Sequence, residues 1–118
     1  MRQRILIVDD EPVIAFTLED SLIEAGFESA GVVTTLDEAL SLIQSGSCDA
    51  AVLDANLAGV SSIPAAAALT ALGLSFIVVS GYSLDQHQSD FPGACFLQKP
   101  CGNAEVIAAL RGILPILD

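Results

Sequence analysis

The sequence predicts an α/β chain: a doubly wound, five-stranded parallel sheet built from five successive βα units. Three observations carry that expectation. Five short apolar runs recur along the 118 residues. Segments with helical spacing or helix-start signals follow them. No linker, repeat or low-complexity tract interrupts the alternation, so residues 1–118 are expected to form one domain.

The first run, Arg4-Ile-Leu-Ile-Val8, is apolar throughout after its arginine and ends in acids, as suits a central strand buried on both faces. Pro12 stands at a helix-start position. Val13, Ile14, Phe16, Leu18, Leu22 and Ile23 follow at near-helical spacing, and Gly26 ends the helix. Phe27 to Val33 is the second strand. Thr35-Leu-Asp-Glu38 forms a capping box that opens a helix to about Ser45, with Gly46 behind it. Ala50-Ala-Val-Leu53 is the third strand and runs into Asp54. A helix over Ser61 to Leu72 carries Pro64 in its first turn, and Phe76-Ile-Val-Val79 is the fourth strand. Residues Ser83 to Pro92 are polar and only weakly helical. Ala94-Cys-Phe-Leu97 is the fifth strand, and Ala104 to Leu114 is the last helix, capped by Asn103 and ended near Pro115.

Composition narrows the function classes. The hydrophobic fraction is 53%, above the roughly 45–50% of ordinary globular chains, which excludes intrinsic disorder. Fifteen acids face four bases, a net charge of −11, and such a chain repels nucleic acid and anionic lipid. Acidic clusters favour hard cations instead. Cys48, Cys95 and Cys101 are odd in number and form no CxxC, and no secretory segment is visible. Reduced thiols and a cytoplasmic location are the expectation. Residues Ala55 to Leu84 lack any charge over a length that can span a membrane. Pro64, Gly73, Ser75, Ser80 and Gly81 punctuate that stretch, so a buried helix followed by a buried strand explains it.

In doubly wound sheets the site lies at the carboxyl ends of the strands. Asp9 and Asp10 leave the first strand, Asp54 the third, Ser80 the fourth, and Lys99-Pro100 the fifth. Three crowded carboxylates repel, and a divalent cation relieves the repulsion. Mg²⁺ suits one or two carboxylates with waters and a phosphate oxygen. A carboxylate beside it can attack a phosphoryl donor, while the metal and a lysine neutralise charge on the moving group. A hydroxyl can then bond the phosphoryl group.

This set, Asp9-Asp10, Asp54, Ser80 and Lys99-Pro100, resembles the signature of response-regulator receiver domains over essentially the whole chain. The resemblance implies a flavodoxin-like receiver fold with strand order 2-1-3-4-5. It makes Asp54 the phosphoacceptor, and it has Asp10 bind Mg²⁺ directly, Asp9 through water and Asn56 through its backbone carbonyl. Lys99 would pair with the phosphoryl group, and the Lys99–Pro100 bond would be cis. Phe96 takes the aromatic switch position, acting with Ser80 and Tyr82. The segments Asp54-Ala-Asn-Leu, Pro64-Ala-Ala-Ala-Ala-Leu, Phe76-Ile-Val-Val-Ser-Gly-Tyr82 and Leu97-Gln-Lys-Pro100 also resemble alphaproteobacterial single-domain receivers with a Phe-Ala-Thr-Gly-Tyr-type motif. Three positions depart from the pattern. Ala58 replaces a proline, which predicts a looser loop after the third strand. Cys101 replaces a phenylalanine after Lys-Pro. Ser80 replaces the commoner threonine, so its hydroxyl is less restricted.

The implied function is that of a single-domain response regulator without an output domain. A histidine kinase or histidine phosphotransfer protein donates, and phosphorylation governs binding to a downstream protein. The chain is then no enzyme apart from catalysing its own phosphorylation and dephosphorylation. A phosphoryl sink, a small Mg²⁺-dependent phosphohydrolase and an inert scaffold are the alternatives. Phosphohydrolases of the aspartyl-phosphate kind carry a second acid two residues after the nucleophile, where this chain has Asn56. Asp9-Asp10-Glu11 alone reads equally well as an acidic helix-start loop, Tyr82 and Phe96 as packing residues, and His87 as a solvated loop residue. Lys99 is the only lysine. The last helix is apolar over more of its circumference than one buried stripe needs, so with the fifth strand it is expected to bind another protein or a second copy of the chain.

Overall fold

The computed structural model describes residues 3–81, 95–99 and 101–114. Its strands and helices are β1 (Arg4–Val8), α1 (Pro12–Glu24), β2 (Glu28–Val33), α2 (Leu36–Gln44), β3 (Ala50–Asp54), β4 (Asn56–Leu57), β5 (Val60–Ser61), α3 (Ile63–Ala71), β6 (Ser75–Ser80), β7 (Cys95–Gln98) and α4 (Asn103–Ile113). The main sheet runs β2-β1-β3-β6-β7, with every described pairing parallel. Counting only its five strands, this is the expected order 2-1-3-4-5.

Alternation along the central strands separates two cores. Ile5 and Ile7 of β1, Val52 of β3 and Ile77 of β6 meet α1 through Ala15, Leu18 and Leu22, and α4 through Val106 and Leu110. Leu6, Val8, Leu53 and Val78 point the other way, onto Ala39 and Ile43 of α2 and Ala65 and Leu69 of α3. All five residues of β3 are buried, which explains why its sequence lacks polar–apolar alternation. The uncharged stretch from Ala55 therefore becomes hairpin, helix and strand as far as it is described. No helix of the described residues is long and apolar enough to cross a membrane.

At the amino end of the sheet, Arg4 clamps β1 to β3. Its Nε and Nη2 donate to the two carboxylate oxygens of Asp49 at 3.2 and 3.1 Å. The Arg4 N–H donates to Asp49 Oδ2 at 2.8 Å, and the Asp49 N–H donates to the Arg4 carbonyl at 2.8 Å. The Arg4 guanidinium holds the Asp49 carboxyl below the usual carboxylate range.

Four local features differ from expectation. Strand β2 starts at Glu28 and carries a bulge. Ile5 pairs with Ser29 but Leu6 pairs with Gly31, so Ala30 is the extra residue. Gly31 takes φ +132° there, which an L side chain rarely adopts. Helix α3 starts at Ile63 rather than Ser61, because residues 56–61 form the antiparallel hairpin β4–β5. Its two-residue turn, Ala58-Gly59, has φ +52° and +91°, the positive pair that marks a type I′ turn. The loop expected to be looser without a proline is thus a tight hairpin, and proline, fixed near φ −65°, cannot occupy position 58 in it.

Asn103 is the first residue of α4 rather than its cap. Gly102 takes the cap position, and its N–H donates to Glu105 Oε1 at 3.3 Å. Asn103 Nδ2 instead donates to Ser21 Oγ at 3.0 Å and to the Thr17 carbonyl at 3.4 Å, tying α4 to α1. The surplus apolar residues of α4 also turn inward: Ile107, Ala109 and Ile113 pack on the α1 core. Its exposed positions are Ala104, Glu105, Ala108, Arg111 and Gly112. The large exposed apolar side chains lie mainly on α1, with Val13 80% and Phe16 54% exposed beside Ile14 and Ile23.

Candidate functional site

The carboxyl ends of the central strands gather the acids. Asp54 closes β3, the middle strand, with β1 on one side and β6 on the other. Asp9 and Asp10 leave β1 directly beside it. Each of the three offers a carboxylate oxygen, and these oxygens lie within 4.8 Å of one another. Asp54 is buried, whereas Asp9 and Asp10 are partly exposed. Asp9 Oδ1 accepts the Glu11 N–H at 2.9 Å, which fixes the turn into α1. Asp54 Oδ1 accepts the Asn56 N–H at 3.2 Å, and its other oxygen receives Lys99 Nζ at 3.0 Å.

Burial and the neighbouring charges together set the shifts. Burial pushes the Asp54 carboxyl above the usual carboxylate range; Lys99 and the Asn56 N–H pull it back only in part. Burial likewise raises the Asp9 carboxyl, helped by the charges of Asp54 and Asp10 and opposed by the Glu11 N–H and Lys99. Burial works to lower the Lys99 ammonium, but its bond to Asp54 and the charges of Asp54, Asp9 and Glu11 outweigh it, and the net direction is up. One lysine thus partly balances three carboxylates, and the residual charge suits a hard divalent cation with oxygen ligands. The donor set fits Mg²⁺: carboxylates alone, partly open to solvent.

Ser80 ends β6 and is 1% exposed. Its carbonyl accepts the Lys99 N–H at 2.7 Å, so the backbones of the hydroxyl residue and the lysine are held together across β6 and β7. Phe96 lies on β7 and packs, half-buried, against the α2–α3 core. Asn56 is exposed, and its Oδ1 is engaged by the Gly59 N–H at 2.7 Å. Tyr82, His87 and Pro100, with the expected cis bond, lie outside the described residues. Sequence reasoning thus placed Asp9, Asp10, Asp54, Ser80 and Lys99 on one rim. It missed the Asn56–Gly59 bond that stiffens the turn; the glycine two residues before β5's end was the available signal.

The family model described as response regulator receiver domain matches residues 5–111. The chain belongs to the response-regulator receiver family. Receivers are signalling domains that bind Mg²⁺ at an acidic pocket, and the carboxylate cluster of this one can hold such an ion. Solved structures agree. SdrG from Sphingomonas melonis Fr1 is 41% identical, with a TM-score of 0.81 over 97% of this chain and 98% of that one. The receiver domain of PhyR from Erythrobacter litoralis is 25% identical, with a TM-score of 0.79 over 99% and 97%. A response regulator receiver protein from Sinorhizobium medicae WSM419 shares the fold at a TM-score of 0.85 and 24% identity, over 94% and 93%. No curated protein sequence matches the chain at a significant level.

Proposed function

We propose that this receiver acts as a response regulator in a two-component phosphorelay. It takes a phosphoryl group on Asp54 from a histidine kinase or histidine phosphotransfer protein. The observation that carries the reading is Asp54 itself: a buried carboxylate at the end of the central strand, beside two further acids and 3.0 Å from the only lysine.

The chemistry follows from these positions. An Asp54 carboxylate oxygen attacks phosphorus, the phosphorus–nitrogen bond of the donor phosphohistidine breaks, and the departing imidazole takes a proton. The product is an acyl phosphate on Asp54. Asp9, Asp10 and Asp54, with the Asn56 carbonyl, would hold Mg²⁺, which would supply charge neutralisation on the phosphoryl oxygens. Lys99 loses its carboxylate bond as Asp54 is phosphorylated and re-pairs with the new phosphoryl group. Ser80 then donates its hydroxyl to that group, and Phe96 and Tyr82 follow the rearrangement.

Partner recognition is best supported on α1. Its exposed Val13, Phe16 and Ile23 lie beside Asp20 and Glu24, which favours an apolar partner helix flanked by basic residues. A phosphohydrolase is disfavoured because Asn56 is no acid and its amide oxygen is already bonded. The likeness to SdrG and to the receiver domain of PhyR supports the alphaproteobacterial grouping. Free cysteines in the described structure agree with a cytoplasmic setting.

The test is intact-mass spectrometry after incubation with phosphoramidate and Mg²⁺. Wild type should gain one phosphoryl group, and neither chelated wild type nor Asp54→Asn should. Equal modification of Asp54→Asn would overturn the assignment.

A further inference from the structure

On the α1–α4 side of the sheet a half-open cavity of about 440 Å³ runs inward from the acidic rim. Val52 and Val79 form its floor, Ile14 and Leu18 of α1 one wall, and Cys101 and Val106 the other. The described first turns of α1 bury Ala15 and Leu18, while Val13, Ile14 and Phe16 are exposed, and Ile14 and Leu18 line the cavity. Asn103, which also lines the cavity, bridges α4 to Thr17 and Ser21 of α1. Cys101 is small where a larger side chain would occupy the space.

The mouth differs from the walls. Asp9, Glu11 and Asp54 line it, against Lys99 alone. Its size lies within the roughly 300–1,000 Å³ of small-molecule pockets, which pair apolar walls with a few convergent polar groups. We propose that this cavity binds a small amphipathic amine, with its apolar body against Val52, Val79 and Val106 and its cationic head among Asp9, Glu11 and Asp54. Charge complementarity selects the head: the rim carries three acids and one base, so an anion is repelled and a neutral head gains less. The walls select the body, since they offer valine, leucine, isoleucine and a thiol that burial holds in its neutral form. Such binding does not require phosphorylation, so its failure leaves the phosphorelay reading untouched.

The experiment is heteronuclear NMR titration of the full chain with 2-phenylethylamine, 2-phenylethanol and 3-phenylpropionate. The amine should give saturable shifts centred on the amides of Val79, Cys101 and Val106, with the alcohol roughly tenfold weaker and the anion weaker still. Cys101→Phe should fill the cavity and weaken amine and alcohol alike, by about tenfold or more. Ile14→Lys adds a cation at the edge, at a position 47% exposed and so tolerant of substitution; it should weaken the amine more than the alcohol. If Cys101→Phe does not fold, Ile14→Lys decides. Absence of saturable shifts at those amides, equal affinity for the anion and the amine, or wild-type amine affinity in Ile14→Lys overturns the proposal.

Discussion

Asp9→Asn should stabilise the metal-free protein at neutral pH. The carboxylate oxygens of Asp9, Asp10 and Asp54 lie within 4.8 Å of one another. Two unit charges at that distance repel by about 3.5 kcal/mol at an effective dielectric of ~20 and by about 0.9 kcal/mol in water. Asp9 is partly exposed, so each of its two repulsions, with Asp10 and with Asp54, lies toward the lower figure, and its lost attraction to Lys99 offsets some of the gain. A net of about 1 kcal/mol remains. The amide keeps the oxygen that accepts the Glu11 N–H, so the turn into α1 is preserved. The sign of the pH dependence is fixed by direction. Folding raises the Asp9 and Asp54 carboxyls above their ordinary value of 3.8. Between that value and the raised one the folded state binds more protons, so wild-type stability falls as pH rises through this window. The advantage of Asp9→Asn should therefore be full at neutral pH and vanish as pH drops toward 3.8. Urea unfolding followed by circular dichroism measures it: with a slope of ~1.5 kcal/mol per molar, the midpoint moves up by roughly 0.7 M. Added Mg²⁺ should narrow the gap by stabilising wild type more. An unchanged midpoint at neutral pH, or a gap that widens in acid, refutes the repulsion argument.

Ala58→Asn gives the β4–β5 hairpin the Asn-Gly pair its positive-φ turn favours, and should raise unfolding free energy by about 1 kcal/mol in the same urea assay, whereas Ala58→Pro should destabilise the fold. Ser62→Ala should be neutral or stabilising by up to ~1 kcal/mol: the Ser62 hydroxyl is fully buried, has no hydrogen-bond partner among the described residues and makes no cap bond to α3. Lys99→Met removes the cation that holds the Asp54 carboxyl down, so carbon-detected NMR titration should find that carboxyl titrating at still higher pH than in wild type.

The strands were legible where the sheet buries both faces. Ile5–Val8 and Ala50–Leu53 read as unbroken apolar runs because no face of β1 or β3 meets water, and the acids that end them marked the rim. Lys99 and Ser80 were legible for the same reason, as polar residues ending apolar runs. What escaped depends on partners distant in sequence or on elements too short to have a period. Hairpin β4–β5 has two residues in each strand and an alanine where a positive-φ turn prefers asparagine. The extra residue at Ala30 exists only relative to β1. Asn103 has the side chain of a cap, but Ser21 and Thr17 of a distant helix offered it better bonds. The Arg4–Asp49 clamp joins residues 45 apart, and the packing of the partly buried Ile107, Ala109 and Ile113 of α4 on the core beneath α1 depends on a helix distant in sequence.

The strand order also dictates how the chain can fold while it is being made. β2 pairs with β1, and then β3, β6 and β7 are added in the order of their synthesis, each at the side the previous strand left open. The sheet grows in one direction from its first hairpin-sized unit, and no strand has to be inserted between two already paired. Translation at roughly 5–20 residues per second separates the completion of successive strands on this growing side by about one to nine seconds. During each interval the newest strand presents an apolar, unpaired edge, first Ile5–Val8, then Ala50–Asp54. Ribosome-bound chains ending between Val8 and Ala50 should accordingly be the most dependent on chaperones, and those extending past Ser80 the least.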